Sequence, residues 1–269
     1  MHNANAFFMK GIGKYKMNLL QSLRALTKFE RLLWVISLSV VTASYLLSRD
    51  FYLPSLLASL IGVTALIFVS KGDVLGQILT VVFSVLYAVV SLRFRYYGEM
   101  ITYLGMTAPI AVISIVSWLR HPFRGQQNEV TVARLTARAL WFGVAGAIGA
   151  TILFYFILRA FHTANLWIST LSVTTSFLAA YLTVFRSPYY ALAYAANDVV
   201  LIVLWILATV TSPAYLPIIF CFLMFLCNDL YGFYNWLRIQ QRQQNVNSQS
   251  KFHSRKAVEF SMRNKWNLM

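Results

Sequence analysis

Residues 51–70 read FYLPSLLASLIGVTALIFVS, a run of 20 residues without a charged side chain. About 20 mostly apolar residues form a helix long enough to cross the hydrocarbon core of a bilayer. The run is continuous and not alternating, which favours a helix over a strand of a membrane barrel. This stretch therefore predicts a transmembrane helix and indicates an integral membrane protein.

Similar apolar runs recur along the chain. Of its 269 residues 59% are hydrophobic and only 12% are charged, which is about half the charged share of an ordinary soluble domain. The predicted spans are residues 32–48, 51–70, 74–92, 100–119, 139–158, 166–185, 189–210 and 215–237. We therefore expect an all-α integral membrane fold with eight transmembrane helices in a domain over residues 32–237.

The basic residues lie mostly on one side of the predicted spans. Of the 23 Lys and Arg residues, 19 fall in the tails and the loops on the same side as the tails, and four fall on the other side. The positive-inside rule then predicts a multi-pass protein of the cell membrane with both termini in the cytoplasm. The net charge of +15 is therefore expected to meet membrane lipids and not nucleic acid.

Both tails are basic and lie outside the spans. Residues 1–31 mix aromatic and aliphatic side chains with Lys and Arg, and they lack the apolar core of a signal peptide. This cytoplasmic segment is either an interfacial helix or a disordered tail. Residues 238–269 form a second basic cytoplasmic tail, rich in Gln, Asn, Ser and Lys, for which the composition predicts disorder.

A weak internal repeat divides the spans into two units. The fourth predicted span ends in SWLR at residues 117–120, and the eighth ends in NWLR at residues 235–238. Each unit contains four spans, so both units begin on the same side of the membrane. The repeat is therefore parallel, an arrangement found in carriers whose two halves enclose a substrate site near the midplane.

Polar and ionisable side chains at bilayer depth are costly, so they indicate either helix packing or a transport path. Asn197-Asp198 lies near the middle of the seventh span, and Asn228-Asp229 lies in the eighth. Aromatic rings and amides together suit a flat heteroaromatic ligand with polar edges. The predicted substrate-binding side chains are Asn197, Asp198, Trp205, Asn228, Asp229, Tyr231, Tyr194 and Gln77. The alternative for each is ordinary packing between helices.

Signatures of catalysis are missing from the sequence. It contains no Walker motif, no His-Glu-x-x-His motif and no Gly-x-Ser-x-Gly elbow. The four His residues are scattered, and Cys221 and Cys227 fall on different faces of the last span. We therefore expect no enzyme activity, no catalytic residue, no metal and no cofactor.

Three segments resemble one family of vitamin transporters. Residues 195–208, AANDVVLIVLWILA, are similar to the penultimate helix of the PnuC family, and residues 221–236, CFLMFLCNDLYGFYNW, are similar to its last helix. The YYGE sequence at residues 96–99 resembles the entry into the helix that ends the first helix triple. The resemblance covers about residues 29–240.

This resemblance implies a SWEET-like core, in which two parallel three-helix bundles are joined by a linking helix, plus an additional N-terminal helix. It also implies import of nicotinamide riboside by facilitated diffusion. Many members carry a Pro-Met-Gln-like sequence in the last helix of the first bundle, where this chain reads Ala-Pro-Ile-Ala-Val at residues 108–112. Carriage of thiamine or riboflavin therefore stays open. A vitamin-binding subunit of an ATP-driven importer is a separate alternative. The oligomeric state is equally open, with a homo-oligomer among the options.

Overall fold

The computed structural model describes residues 19–48, 51–94, 96–124 and 126–266, which are almost entirely helical. The helices are α1 (Leu19–Arg24), α2 (Lys28–Leu46), α3 (Leu53–Ser70), α4 (Val74–Arg93), α5 (Tyr97–Thr102), α6 (Ala108–Arg120), α7 (Ala137–Ala160), α8 (Leu166–Val184), α9 (Tyr189–Thr211) and α10 (Leu216–Trp266). A short antiparallel hairpin pairs β1 (Pro122–Phe123) with β2 (Gln126–Val130). The interfacial helix suggested for the N-terminal tail falls mostly on residues 1–18, outside the described residues.

Eight helical stretches of the described chain are long and apolar enough to cross a membrane. They are α2, α3, α4, the continuous α5–α6 stretch, α7, α8, α9 and α10, which confirms the eight predicted spans. The first span begins at Lys28, four residues before its predicted start. The reason is a capping box, in which Thr27 Oγ1 accepts a hydrogen bond from the Glu30 amide and Glu30 Oε2 accepts one from the Thr27 amide.

The fourth span contains a wider turn. Residues Tyr103–Thr107 form a π-helical segment between α5 and α6, and the Ala108 amide donates to the carbonyl of Tyr103. Pro109 follows directly and has no amide hydrogen to continue the regular helical ladder. Such segments are frequent at functional sites because they turn side chains away from the regular helical register.

The spans fall into two sets with two peripheral helices. In the first set α3 packs on α4 and α4 packs on α6, and in the second set α8 packs on α9 and α9 packs on α10. The sets meet where α10 crosses α3 and where α6 contacts α8. Helix α2 lies against α3 and α10, whereas α7 packs mainly on α8. Any central cavity must therefore lie between α3–α6 and α8–α10.

The last helix continues far beyond its membrane span. Helix α10 is 51 residues long and ends at Trp266, so residues 238–266 are helical where the composition predicted disorder. The linker, residues 121–136, packs against this extension. Gln243 Nε2 donates to the carbonyl of Val130, and its Oε1 accepts from the amide of Val132. Tertiary contacts with the linker thus support helix in a polar segment.

The linker also joins the two sets of spans at one end of the bundle. Gly72, in the turn between α3 and α4, accepts a hydrogen bond from the amide of Val130, at 3.0 Å. This turn requires glycine because its φ is +73°. In the turn between α8 and α9, the carbonyl of Arg186 accepts from the amide of Ala133, and its guanidinium donates to the carbonyl of Thr131.

Candidate substrate cavity

A narrow cavity of about 60 Å³ lies between the two sets of spans. The first set lines it with Gly62, Ala65, Leu66, Val69, Gln77, Thr80, Phe83, Tyr103 and Thr107, and the second set with Ser176, Tyr194, Asn197, Asp198, Phe222, Phe225 and Asp229. Six spans contribute to these described lining residues, and α2 and α7 contribute none. The cavity thus lies where relative movement of the two sets would change its size.

Aromatic rings form one part of the wall. The ring of Phe83 lies 5.8 Å from that of Tyr103 and 5.4 Å from that of Phe225, centroid to centroid, both edge to face. Only a glycine at residue 62 leaves space for the ring of Phe225, because a Cβ there would clash with Phe225 Cζ. Rings arranged in this way can stack on a flat ligand or contact its edge.

Asn197 supplies an oriented amide to the cavity. Its Oδ1 accepts hydrogen bonds from Thr175 Oγ1 at 2.8 Å and from Ser176 Oγ at 3.0 Å. No hydrogen bond joins its Nδ2 to another part of the described chain. The two hydroxyls therefore fix the amide with its donor group available to a ligand.

Two carboxyl groups are the ionisable acids of the cavity. Asp198 on α9 and Asp229 on α10 are each 3% exposed, and both line the cavity. No Lys, Arg or His occurs among the described lining residues. The wall therefore combines rings, neutral polar groups and acidic groups without a basic side chain.

The structure brings five of the eight predicted binding residues together. Gln77, Tyr194, Asn197, Asp198 and Asp229 all line the cavity. They come from three different helices, α4, α9 and α10, and so meet only through the tertiary fold. Their contact with substrate stays a prediction, which this shared cavity supports.

The other three predicted residues have different surroundings. Trp205 is fully buried, and its Nε1 donates to Tyr87 Oη at 3.1 Å. Asn228 Nδ2 donates to Ser37 Oγ at 3.0 Å. Tyr231 Oη donates to Glu30 Oε1 at 2.9 Å.

Trp205, Asn228 and Tyr231 are not among the described residues that line the cavity, and a role for them in binding substrate stays a prediction. They differ from the other five in the direction that their side chains take from the helix. Asn228 and Tyr231 lie on the side of α10 that faces α2, where they hold the additional first span to the bundle. Trp205 lies farther along α9, where its indole fills space beside Tyr87.

Several lining residues were not predicted from the sequence. Phe222 and Phe225 belong to the same face of α10 as Asp229, at spacings of three and seven residues from Phe222. Tyr103 and Thr107 lie at the two ends of the π-helical segment. In α10, the spacing of the two Phe residues and the acidic residue along one helix face could have predicted that they line the cavity. No sequence pattern of this kind predicts the π-helical segment that places Tyr103 and Thr107.

A bundle of eight apolar helices, six of which line a cavity with rings, amides and carboxyls, is typical of membrane transporters for small polar molecules. Comparison with known proteins agrees with this class. Residues 52–238 match the family model described as nicotinamide mononucleotide transporter. The match covers well over half of the chain, so the protein belongs to this family. This membership confirms the expectation of a transporter and not an enzyme.

Two curated relatives and one solved structure give the same family. The chain is 26% identical over 220 residues to the nicotinamide riboside transporter PnuC of Neisseria mucosa, covering 80% of this chain and 83% of that protein. It is 24% identical over 200 residues to the transporter of the same name from Haemophilus influenzae, covering 74% and 85%. The crystal structure of the vitamin B3 transporter PnuC superposes with a TM-score of 0.71 and 26% identity, covering 81% of this chain and 94% of that one.

Proposed function

We propose that this protein carries nicotinamide riboside across the cell membrane by facilitated diffusion, with both termini in the cytoplasm. The observation that carries the proposal is the cavity between α3–α6 and α8–α10, where rings, amides and carboxyls meet. A pyridine ring with a carboxamide and a ribose offers a flat face and polar edges. These are the features that the cavity wall can bind.

The substrate is expected to contact the two walls differently. The pyridine ring lies against Phe83, Tyr103 or Phe225, whose rings are already arranged around a common space. Asn197 donates its free amide hydrogens to the carboxamide oxygen or to a ribose hydroxyl, and Gln77 binds from the opposite set of spans. Binding thus connects the two halves through one molecule.

The small cavity volume supports a moving carrier over a fixed pore. A volume of about 60 Å³ admits a few water molecules, whereas small-molecule sites usually enclose about 300 Å³ or more. The two sets of spans must therefore separate to admit a nucleoside. Alternating access, in which the halves open first to one side and then to the other, follows from this requirement.

The lack of a basic residue in the described lining favours a riboside over a mononucleotide. A phosphate monoester carries negative charge and binds best to Arg, Lys or clustered backbone amides. The described lining instead contains two acidic residues and no basic one. A phosphate buried there would have no counter-charge, which disfavours a mononucleotide in the cavity. We therefore propose the unphosphorylated nucleoside as the substrate.

Liposomes that contain only the purified protein test the proposal. We expect saturable uptake of labelled nicotinamide riboside without ATP, and no competition by an excess of nicotinamide mononucleotide. Empty liposomes and liposomes with an unrelated membrane protein are the controls. Uptake of thiamine or riboflavin in place of the riboside would identify a different vitamin carrier. Tight binding without uptake would indicate a binding subunit, and neither binding nor uptake would refute the proposal.

A further inference from the structure

The cavity contains a pair of acidic side chains. Asp198 and Asp229 come from neighbouring spans, are each 3% exposed and line the same cavity. Burial and a neighbouring carboxyl both disfavour ionisation of a carboxyl, so a positive charge beside the pair is needed to ionise it.

The pair has no basic partner among the described residues of the cavity. The described lining contains no Lys, Arg or His. Asp198 Oδ2 is buried without a hydrogen-bond donor from the rest of the described protein. A buried charge without a partner is unfavourable by several kcal/mol. Ionisation of the pair is therefore favourable only when a positively charged group enters the cavity.

The proposed substrate has such a group. The ring nitrogen of nicotinamide riboside is a pyridinium, which carries a fixed positive charge and has no proton to lose. Its reduced form, the dihydropyridine riboside, keeps the carboxamide and the ribose but is neutral. The two molecules therefore differ in charge with little difference in size.

We infer that the carboxyl pair of Asp198 and Asp229 is the counter-charge for the ring of the substrate, and that it selects cationic N-ribosylpyridinium compounds over neutral nucleosides. This inference rests on the proposed function and adds the source of its specificity. The aromatic wall then contributes a second attraction, because the faces of Tyr and Phe rings also attract cations.

A comparison on the unmodified protein is the first test. Binding of nicotinamide riboside and of its reduced form is measured by calorimetry on the purified full-length chain. We expect the cationic form to bind at least about 10-fold more tightly, since opposite charges attract strongly in a partly buried site. Equal affinity for the two forms would overturn the inference.

Substitutions then test whether the two aspartates are the source. Asp198→Asn and Asp229→Asn each leave one carboxyl that can ionise beside the cation. Each single variant should therefore keep most of the preference. The double variant removes both carboxyls, so we expect it to bind both forms with similar affinity.

Thr107→Val is the matched control, because Thr107 lines the same cavity without a charge. It should change the affinity for both forms by a similar factor. A double variant that keeps the full preference would exclude the pair as its source. If the double variant does not fold, Asp198→Ser with Asp229→Asn also removes both carboxyls and gives the same test.

The outcomes separate this inference from the proposed function. If the unmodified protein binds neither form, the proposed substrate itself is wrong. If it binds both forms equally, the substrate stands and selection by charge is refuted. If it prefers the cation and the double variant does not, both are supported.

Discussion

Replacing Asn197 and Asn228 one at a time distinguishes a ligand-binding amide from a packing amide. Both are buried asparagines in adjacent spans, with exposures of 3% and 1%, and both lie next to an aspartate. In the structure only Asn197 lines the cavity. Asn228 instead bonds to Ser37 of the first span. Alanine at these two positions should therefore have opposite consequences.

The magnitude for Asn197→Ala follows from its hydrogen bonds. The variant removes one amide donor to the ligand, and a neutral hydrogen bond contributes about 1 kcal/mol. Of the two hydroxyls that lose their acceptor, Thr175 Oγ1 also lies 3.1 Å from the carbonyls of Leu171 and Ser172. Its desolvation penalty is therefore small. We expect the dissociation constant to rise about 5- to 10-fold, since about 1.4 kcal/mol corresponds to a factor of ten.

Asn228→Ala is the control. It removes the bond to Ser37 Oγ at 3.0 Å, so it should lower the free energy of unfolding by about 1 kcal/mol. Its ligand affinity should stay within about twofold of the unmodified protein, since it does not reach the cavity. Calorimetry with nicotinamide riboside and thermal unfolding of the same samples measure both quantities. The reasoning is refuted if Asn228→Ala weakens binding as much as Asn197→Ala does.

Three further substitutions test other parts of the structure. Gly62→Ala should lower uptake strongly while the protein still folds, because the new Cβ would lie 2.4 Å from a ring of the cavity wall; normal uptake in liposomes would contradict this. Glu30→Gln removes an ion pair to Lys71 of 3.0 Å and should lower the melting temperature, with a free-energy loss of about 2 kcal/mol and no change in affinity. Gln243→Ala should speed tryptic cleavage within the linker, because it removes the bonds that hold this segment to α10; an unchanged cleavage rate would show that those bonds do not protect it.

The spans could be predicted from the sequence because each one must by itself be long and apolar enough to cross the bilayer. Length and hydropathy are local properties, so the starts of the eight predicted runs agree with the helices to within a few residues, and only α10 ends far beyond its run. The first span has the most shifted start, because that start depends on the capping box of Thr27 and Glu30. Capping side chains lie outside the apolar run that the prediction used.

The face of each helix that meets the cavity was harder to predict. In α9, Asn197 and Asp198 do line it. In α10 two polar faces compete, one with Asn228 and Tyr231 and one with Asp229. Only the packing of α2 decides between them, because Ser37 and Glu30 bind the first face. A long-range contact of this kind leaves no mark in the spacing of residues along α10.

The linker limits how the two halves can move. Its backbone forms hydrogen bonds to Gly72 in one half and to Arg186 in the other, so the linker connects the two halves at that end of the bundle. Separating the halves there must break at least one of these hydrogen bonds or extend the linker between them. Separation at the opposite end leaves both hydrogen bonds intact. The two directions of opening therefore differ in energetic cost even when the cavity is empty. The linker favours a state of the empty protein that is closed at the end where the linker lies.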